Sequence, residues 1–248
     1  MHKGELPKVS CFCSTYGRIK CLEEAIFSFL QQDYTGRKEL IVLNDREDQV
    51  LVFDHPEVKI INYPERIEPL GKKFNTNVNL CGGEVIAVWE NDDIALPHRL
   101  TFSMERMKNG VFHTNTMLYE HERQYIVPTD NYAHINLMIT KELFNNIGGY
   151  PEIDTCTVDT GIFARIEAKV GPFSQPVDPR DAVMIYRFST IKSYHGSGAV
   201  QSPVGGISEM AKTCIDAQIV SGIEPVGVTK LNPHWDYNYL DYIKLEET

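Results

Sequence analysis

A chain of 248 residues, 42% hydrophobic and 23% charged, has the composition of a folded globular protein and excludes collagen, coiled coil and wholesale disorder. Lys and Arg number 24 against 34 Asp and Glu, a net charge of −10, so no general basic field draws it to nucleic acid or an anionic membrane. No apolar run reaches the roughly 18–20 residues of a membrane helix, and the expectation is a cytoplasmic protein. The six cysteines, Cys11, Cys13, Cys21, Cys81, Cys156 and Cys214, lie in apolar stretches without a CxxC pair, which reads as reduced core thiols.

In chain order, strand patterns at Lys8–Cys13, Glu39–Leu43, Val58–Asn62 and Glu84–Trp89 alternate with helical patterns at Cys21–Gln32 and Phe74–Leu80. That order predicts an α/β fold with a largely parallel sheet. Leu22, Ala25, Ile26, Phe29 and Leu30 form one stripe of the first helix, with Glu23, Glu24, Gln31 and Gln32 off it. Cys11 and Cys13 alternate, so both thiols share one strand face. Strands are expected at 111–119, 125–127 and 134–140, helices near 141–147 and 159–168, and loops at 171–180 and 196–206. The stretch after Glu224 has no period and reads as an irregular arm.

Three strands end in polar clusters: Ser14-Thr15-Tyr16, Asn44-Asp45-Arg46 and Glu90-Asn91-Asp92-Asp93. In an open α/β sheet the ligand crevice lies beyond the carboxyl ends of the strands, so the three clusters are expected to meet. Concentrated carboxylates repel unless a cation sits among them. A hard ion, Mg²⁺ or Mn²⁺, completed by diphosphate oxygens, would meet that need and implies a nucleoside diphosphate substrate. The alternative is an acidic loop capping the helix that starts near Pro97.

The ordered set Val9–Arg18 with Ser14-Thr15-Tyr16-Gly17-Arg18, Glu39–Asp45, Pro69–Asn75, Gly83–Ala87, Glu90–Leu100, Gly148–Glu152 with Asp159, and Tyr186-Arg187 with Tyr194–Gly198 resembles family 2 glycosyltransferases of the GT-A fold. The resemblance runs over roughly residues 8–200. It implies a GT-A (Rossmann-like) mixed, mostly parallel sheet flanked by helices. One domain at 1–222 would comprise a nucleotide-binding half at about 8–100 and an acceptor-binding half at about 101–222, followed by a C-terminal arm at 223–248.

The same resemblance places Thr15, Tyr16 and Arg18 near the nucleotide base, with Asp45 and Asn44 accepting the base N–H. Lys72 and Lys73 stand for the diphosphate contacts, because Phe74 occupies a position where the family often has Arg, and Asn91 joins the nucleotide contacts. Asp92 matches the metal aspartate of the Asp-x-Asp motif, Glu90 stands at its first position, and His195 would complete the metal shell or touch the diphosphate. Asp159 matches the family's catalytic base, with Val158 departing from the usual Glu-Asp pair; Asp154 is the reserve, and a helix cap is the plainer role for Asp159. For Trp89 and the Trp235–Tyr242 aromatics core packing outweighs sugar stacking, and for Arg187 and Lys192 a solvated surface cation is the alternative to a phosphate contact.

The implied activity is metal-dependent, inverting transfer of a sugar from a nucleoside-diphosphate sugar, UDP by family habit, to an acceptor hydroxyl. The acceptor could be a glycan or a hydroxylated base in viral DNA, for which Lys72, Lys73, Arg180, Arg187 and Lys192 could form a local basic rim. The rivals are a nucleotide-sugar-binding protein without catalysis, suggested by Glu90, Phe74 and Val158, and a nucleotidyltransferase, disfavoured by a first turn with one glycine.

Overall fold

The structure, a computed structural model, describes residues 5–121, 124–126, 134–155, 157–187 and 206–243. His195, Lys192, Cys156, the Tyr194–Gly198 motif and the loop expected at 196–206, up to its last residue, fall outside the described residues.

The chain runs β1 (Val9–Thr15), α1 (Ile19–Leu30), β2 (Lys38–Asn44), β3 (Gln49–Val52), β4 (Val58–Asn62), α2 (Leu70–Leu80), β5 (Val85–Val88), β6 (Ile94–Ala95) and α3 (Arg99–Glu105). It continues with β7 (Val111–Phe112), β8 (Leu118–His121), β9 (Gln124–Ile126), β10 (Met138–Thr140), α4 (Lys141–Asn146), α5 (Val158–Val170), β11 (Met184–Arg187), α6 (Gly206–Val220) and β12 (Gly227–Lys230). The main sheet has the order β4-β2-β1-β5-β10-β7. β1 is parallel to β2 and β5, and β10 runs antiparallel to β5. The order reverses beside β1, which puts the ligand crevice at the carboxyl ends of β1 and β5.

Period-two alternation decides which residues face which helices. Cys11 and Cys13 sit in the core with Leu22, Ala25, Ile26 and Phe29 of α1, whereas Phe12, Ile86 and Val88 face Phe74 and Val78 of α2 and Ile162 and Ile166 of α5. Each fully buried Leu, Ile or Phe here contributes roughly 1.5–3 kcal/mol. Cys11, Cys13, Cys21 and Cys81 are free and buried; burial raises the Cys81 thiol to about 12, which keeps it protonated and unreactive.

The structure corrects several sequence expectations. The strand expected at 111–119 is two short strands in different sheets, β7 in the main sheet and β8 in the sheet β6-β11-β8-β9. The run 134–140 opens as a 3₁₀ turn at His134–Asn136 before β10. Helix α6 was not expected, although Ile207, Met210, Ala211, Cys214 and Ile215 carry a helical spacing. The arm is not wholly irregular: β12 pairs in parallel with β3, and Trp235, Tyr237 and Tyr239 pack against Ile94, Leu118 and Ile185.

Glu24, assigned by its spacing to the polar side of α1, is 1% exposed. It receives Arg187 Nη1 and the Tyr239 hydroxyl. Arg187 is 3% exposed, so it is neither a surface cation nor a phosphate contact. Burial opposes its charge, and the Glu24 carboxylate outweighs that and holds its pKa above the ordinary arginine value. Its backbone N–H donates to Asp93 Oδ1 at 2.9 Å and its Nε to the Asp92 carbonyl, so this pair braces the acidic turn from behind.

Two glycines are dictated by close approach. A Cβ on Gly17, where φ is +76°, would meet Ile215 of α6 at 2.8 Å, and one on Gly71 would meet the Pro151 carbonyl oxygen at 1.8 Å. At the other end of the sheet Glu39 accepts from Lys8 Nζ at 2.6 Å, Ser10 Oγ at 2.5 Å and Gly82 N–H at 2.8 Å. Partial burial pushes its carboxyl up, and these hydrogen bonds outweigh that and lower it below the ordinary 4.5. Its contribution to stability is therefore present above the unfolded value and lost as pH falls through the folded one. Glu39→Gln should cost about 1–2 kcal/mol near neutral pH, and the gap from wild type in urea melts should close as pH falls below 4.5; a gap constant down to pH 3 would refute this.

Candidate active site

The three polar clusters do meet. Lys73 Nζ donates to Asp45 Oδ1 at 2.6 Å and to the Thr15 carbonyl at 2.8 Å, and Asn91 Nδ2 donates to Thr15 Oγ1 at 2.8 Å. Thr15 Oγ1 donates in turn to the Gly17 carbonyl. Lys73 is buried, and loss of solvation lowers its pKa although Asp45 opposes the shift. The ammonium is thus an internal tie between β1 and β2, and the exposed Lys72 on the same helix takes no part in it.

Asn44 and Asp45 are each 0% exposed. Asn44 donates to the Gln49 carbonyl and Asn62 Oδ1, and the second Asp45 oxygen accepts from Ile67 N–H at 3.0 Å. Both hold the β2 turn in shape. Tyr16 is half-buried under the Arg66 guanidinium, which lies 4.0 Å from the ring centroid; Arg66 is a neighbour of the turn after β1 that the sequence does not single out.

Arg18 enters the acidic turn directly. Its Nη1 donates to Asp92 Oδ2 at 2.6 Å and its Nη2 to Asn91 Oδ1 at 2.5 Å. Arg18 thus reaches across to the acidic turn. Asp93, not singled out from the sequence, is buried behind Asp92; loss of solvation and then the Asp92 charge raise its carboxyl well above the ordinary value.

Glu90, expected in a metal shell with Asp92, is engaged by a histidine. It accepts from His134 Nδ1 at 3.0 Å, and the same nitrogen lies 3.5 Å from Asp159 Oδ1. His134 Nε2 and the Tyr150 hydroxyl share a hydrogen bond of 2.8 Å. Burial disfavours imidazolium, and the Asp159 and Glu90 carboxylates overcome it and raise the His134 pKa above 6.5. Phe74 stacks on the imidazole at 5.7 Å between centroids. The side chain that departs from the family's Arg therefore forms the wall of this histidine pocket.

Asp159 stands in the first turn of α5, whose N-cap is Thr157, so it is not the cap. Its side chain is 36% exposed. Loss of solvation raises its carboxyl above the ordinary 3.8, His134 pulls it down, and Glu90 pushes it up. Asp154, the reserve candidate, accepts from Leu70 N–H at 3.2 Å and from Ser208 Oγ at 2.5 Å, tying α2 to α6.

His134 and Tyr150 were not singled out as functional from the sequence. No local motif marks them, because the pocket joins β5, the turn before β10, and α5. The aromatics follow the core reading: Trp89 Nε1 donates to the Ala25 carbonyl at 2.9 Å and Trp235 Nε1 to Ser28 Oγ at 2.9 Å. No basic rim forms from the described members, since Lys73 and Arg187 face inward and Arg180 pairs with Asp178 at 2.7 Å. Among the described residues no three His, Cys, Asp or Glu side chains form a metal-holding group, and no helix is long and apolar enough to cross a membrane.

Residues 10–170, more than half of the chain, match the family described as Glycosyl transferase family 2, and the chain belongs to that family. It is 32% identical over 116 residues to the uncharacterized glycosyltransferase MJ1057 of Methanocaldococcus jannaschii, a match covering 43% of this chain and 40% of that relative. Among solved structures it is similar to the mannosyltransferase PcManGT of Pyrobaculum calidifontis, in complex with GDP-Man and Mn²⁺, with a TM-score of 0.55 and 16% identity, over 74% of this chain and 57% of that one. It is also similar to residues 1–349 of TarS of S. aureus, in complex with UDP-GlcNAc, with a TM-score of 0.58 and 16% identity, over 86% of this chain and 66% of that one. The fold is the GT-A fold expected from the sequence. The chain spans about two fifths of the first relative and under two thirds of either solved chain.

Proposed function

We propose that the protein transfers a sugar from a nucleoside-diphosphate sugar to an acceptor hydroxyl, with inversion, using Asp159 as general base. The observation that carries this reading is the position of Glu90. It lies two residues before Asp92 and, through His134, beside Asp159, so donor and acceptor chemistry share one crevice at the ends of β1 and β5. What supports Asp159 as the base is a partly exposed carboxylate with a raised pKa beside a buried histidine. A single backside attack by the acceptor oxygen, with Asp159 Oδ taking its proton, inverts the anomeric carbon.

The donor set fits a divalent cation of the Mg²⁺ or Mn²⁺ kind. Asp92 offers a hard oxygen that already faces a cationic group, and such ions take one or two carboxylates and complete their shell with water and substrate phosphate. Asp92 would hold the ion, which would supply charge neutralisation for the departing nucleoside diphosphate. Arg18 is the second cation available to the diphosphate. UDP and GDP are the donor bases to try first, since the similar solved structures carry one or the other.

The test is a thermal-shift titration of UDP and GDP with Mn²⁺, with Mg²⁺ and with chelator. At 100 times its Kd a native-state ligand adds about 2.7 kcal/mol, which raises the melting temperature by roughly 2–4 °C per kcal/mol for a chain of this size. The shift should need metal and should disappear in Asp92→Ala. A shift indifferent to metal, or none with either nucleotide, would overturn the donor half of the reading.

A further inference from the structure

The Arg18 side chain is held at the acidic turn by its backbone. Gly17 and Arg18 both have positive φ, +76° and +63°, a conformation that is strained for a non-glycine residue and persists where the surroundings over-determine it. Here it makes Arg18 the N-cap residue of α1 and carries its guanidinium from the end of β1 to the turn after β5. There it spans Asp92 Oδ2 and Asn91 Oδ1. The contact is largely dry, with the two charged side chains 10% and 9% exposed. Arginine stays protonated at every working pH.

A divalent ion approaching Asp92 in the free protein therefore meets a fixed positive charge at hydrogen-bond distance from the oxygen it needs. A diphosphate changes the balance, because its oxygens accept the planar guanidinium fork in two parallel hydrogen bonds. When Arg18 passes to the phosphates, Asp92 loses this ion pair while Asp93 stays behind it, and its attraction for a cation rises.

We propose that Arg18 is an internal counter-cation that makes metal binding at Asp92 conditional on the nucleoside diphosphate, so that ion and donor enter together. The inference rests on the assignment of Asp92 to the metal made above, and it concerns binding rather than turnover. Linkage requires the effect to be reciprocal: whatever factor the nucleotide adds to metal affinity, the metal adds to nucleotide affinity.

The experiment is a Mn²⁺ titration of the full chain followed by the EPR signal of free Mn²⁺, without nucleotide and with saturating UDP or GDP. Wild type, Arg18→Gln, Arg18→Lys and Asp92→Asn are compared, each first shown to melt cooperatively. Wild type should bind Mn²⁺ at least tenfold more tightly with one nucleotide than without. Arg18→Gln should bind nucleotide-free Mn²⁺ at least tenfold more tightly than wild type and show a smaller nucleotide effect. Arg18→Lys, which keeps the charge without the fork, should stay near wild type without nucleotide and show a smaller nucleotide effect; it decides the matter alone if Arg18→Gln does not fold, since a nucleotide effect as large as wild type's in this variant would refute the handover of the guanidinium to the phosphates. Nucleotide-free affinity in Arg18→Gln equal to or weaker than wild type overturns the inference. If Asp92→Asn leaves Mn²⁺ binding unchanged, the metal assignment itself fails; if Asp92→Asn abolishes it while Arg18→Gln changes nothing, only the counter-cation role fails.

Discussion

Asp159→Asn is expected to lower the rate of sugar transfer about 10²–10⁴-fold, the usual worth of a positioned general base, while leaving metal-dependent nucleotide binding intact. The amide is isosteric and His134 keeps its hydrogen bond to Glu90, so the pocket keeps its shape and only the proton acceptor is removed. Release of nucleoside diphosphate from a sugar nucleotide, with water in the acceptor's place, measures the effect. A variant within threefold of wild type would remove Asp159 from the mechanism, and nucleotide binding with no turnover in wild type would favour a nucleotide-sugar-binding protein. The pH dependence has a definite sign. The base must be ionised, so the rate falls as pH drops through the Asp159 pKa, which burial holds above 3.8. His134 lowers that pKa, so His134→Gln should move the acid limb to higher pH. A limb that stays in place or moves down would show that His134 does not act on Asp159.

Glu24→Ala should destabilise the fold by about 3–5 kcal/mol, because removing one partner of a buried ion pair strands the other charge. Arg187 and Glu24 retain 3% and 1% of their exposure, and the Tyr239 hydroxyl of the C-terminal arm donates to the same carboxylate at 2.7 Å. The effect should also reach the crevice, since Arg187 holds the backbone and side chain of the acidic turn. Urea melts give the stability, and UDP with Mn²⁺ gives the binding; a loss below 1 kcal/mol would mean that water reaches Arg187 in the native state. Replacing both residues by apolar ones of similar volume, Glu24→Leu with Arg187→Met, should recover much of the stability. That variant should not recover the nucleotide-binding geometry, because the hydrogen bond from the guanidinium to the Asp92 carbonyl is lost.

Local pattern carried the parts of the molecule that local chemistry decides. The alternation at Val9–Cys13 separates Cys11 and Cys13 from Phe12 because successive side chains of a strand point to opposite faces, and the structure places them in two different cores. The stripe on α1 and the charge-rich ends of β1, β2 and β5 were legible for the same reason, and so was their convergence, which follows from strands running parallel. The helix that Asp159 opens was legible too, and the structure places this residue in its first turn.

What the sequence could not decide is which polar groups end up inside and whom they meet. Glu24 reads as solvent-facing on a helical wheel, and it is buried because Arg187 and Tyr239, brought from far along the chain, neutralise and hydrogen-bond it. Glu90 reads as a member of the acidic turn, yet its partner is His134; Lys73 reads as a phosphate ligand, yet it ties Asp45 to Thr15. The β3–β12 pair escapes the sequence because each strand is short and its pairing is non-local. The sequence by itself thus determined the fold class, the strand faces and the crevice, since these depend on periodicity and strand direction. Only the tertiary structure decided the partners of the buried charges, because the cost of burying a charge is set by the distant group that arrives to meet it.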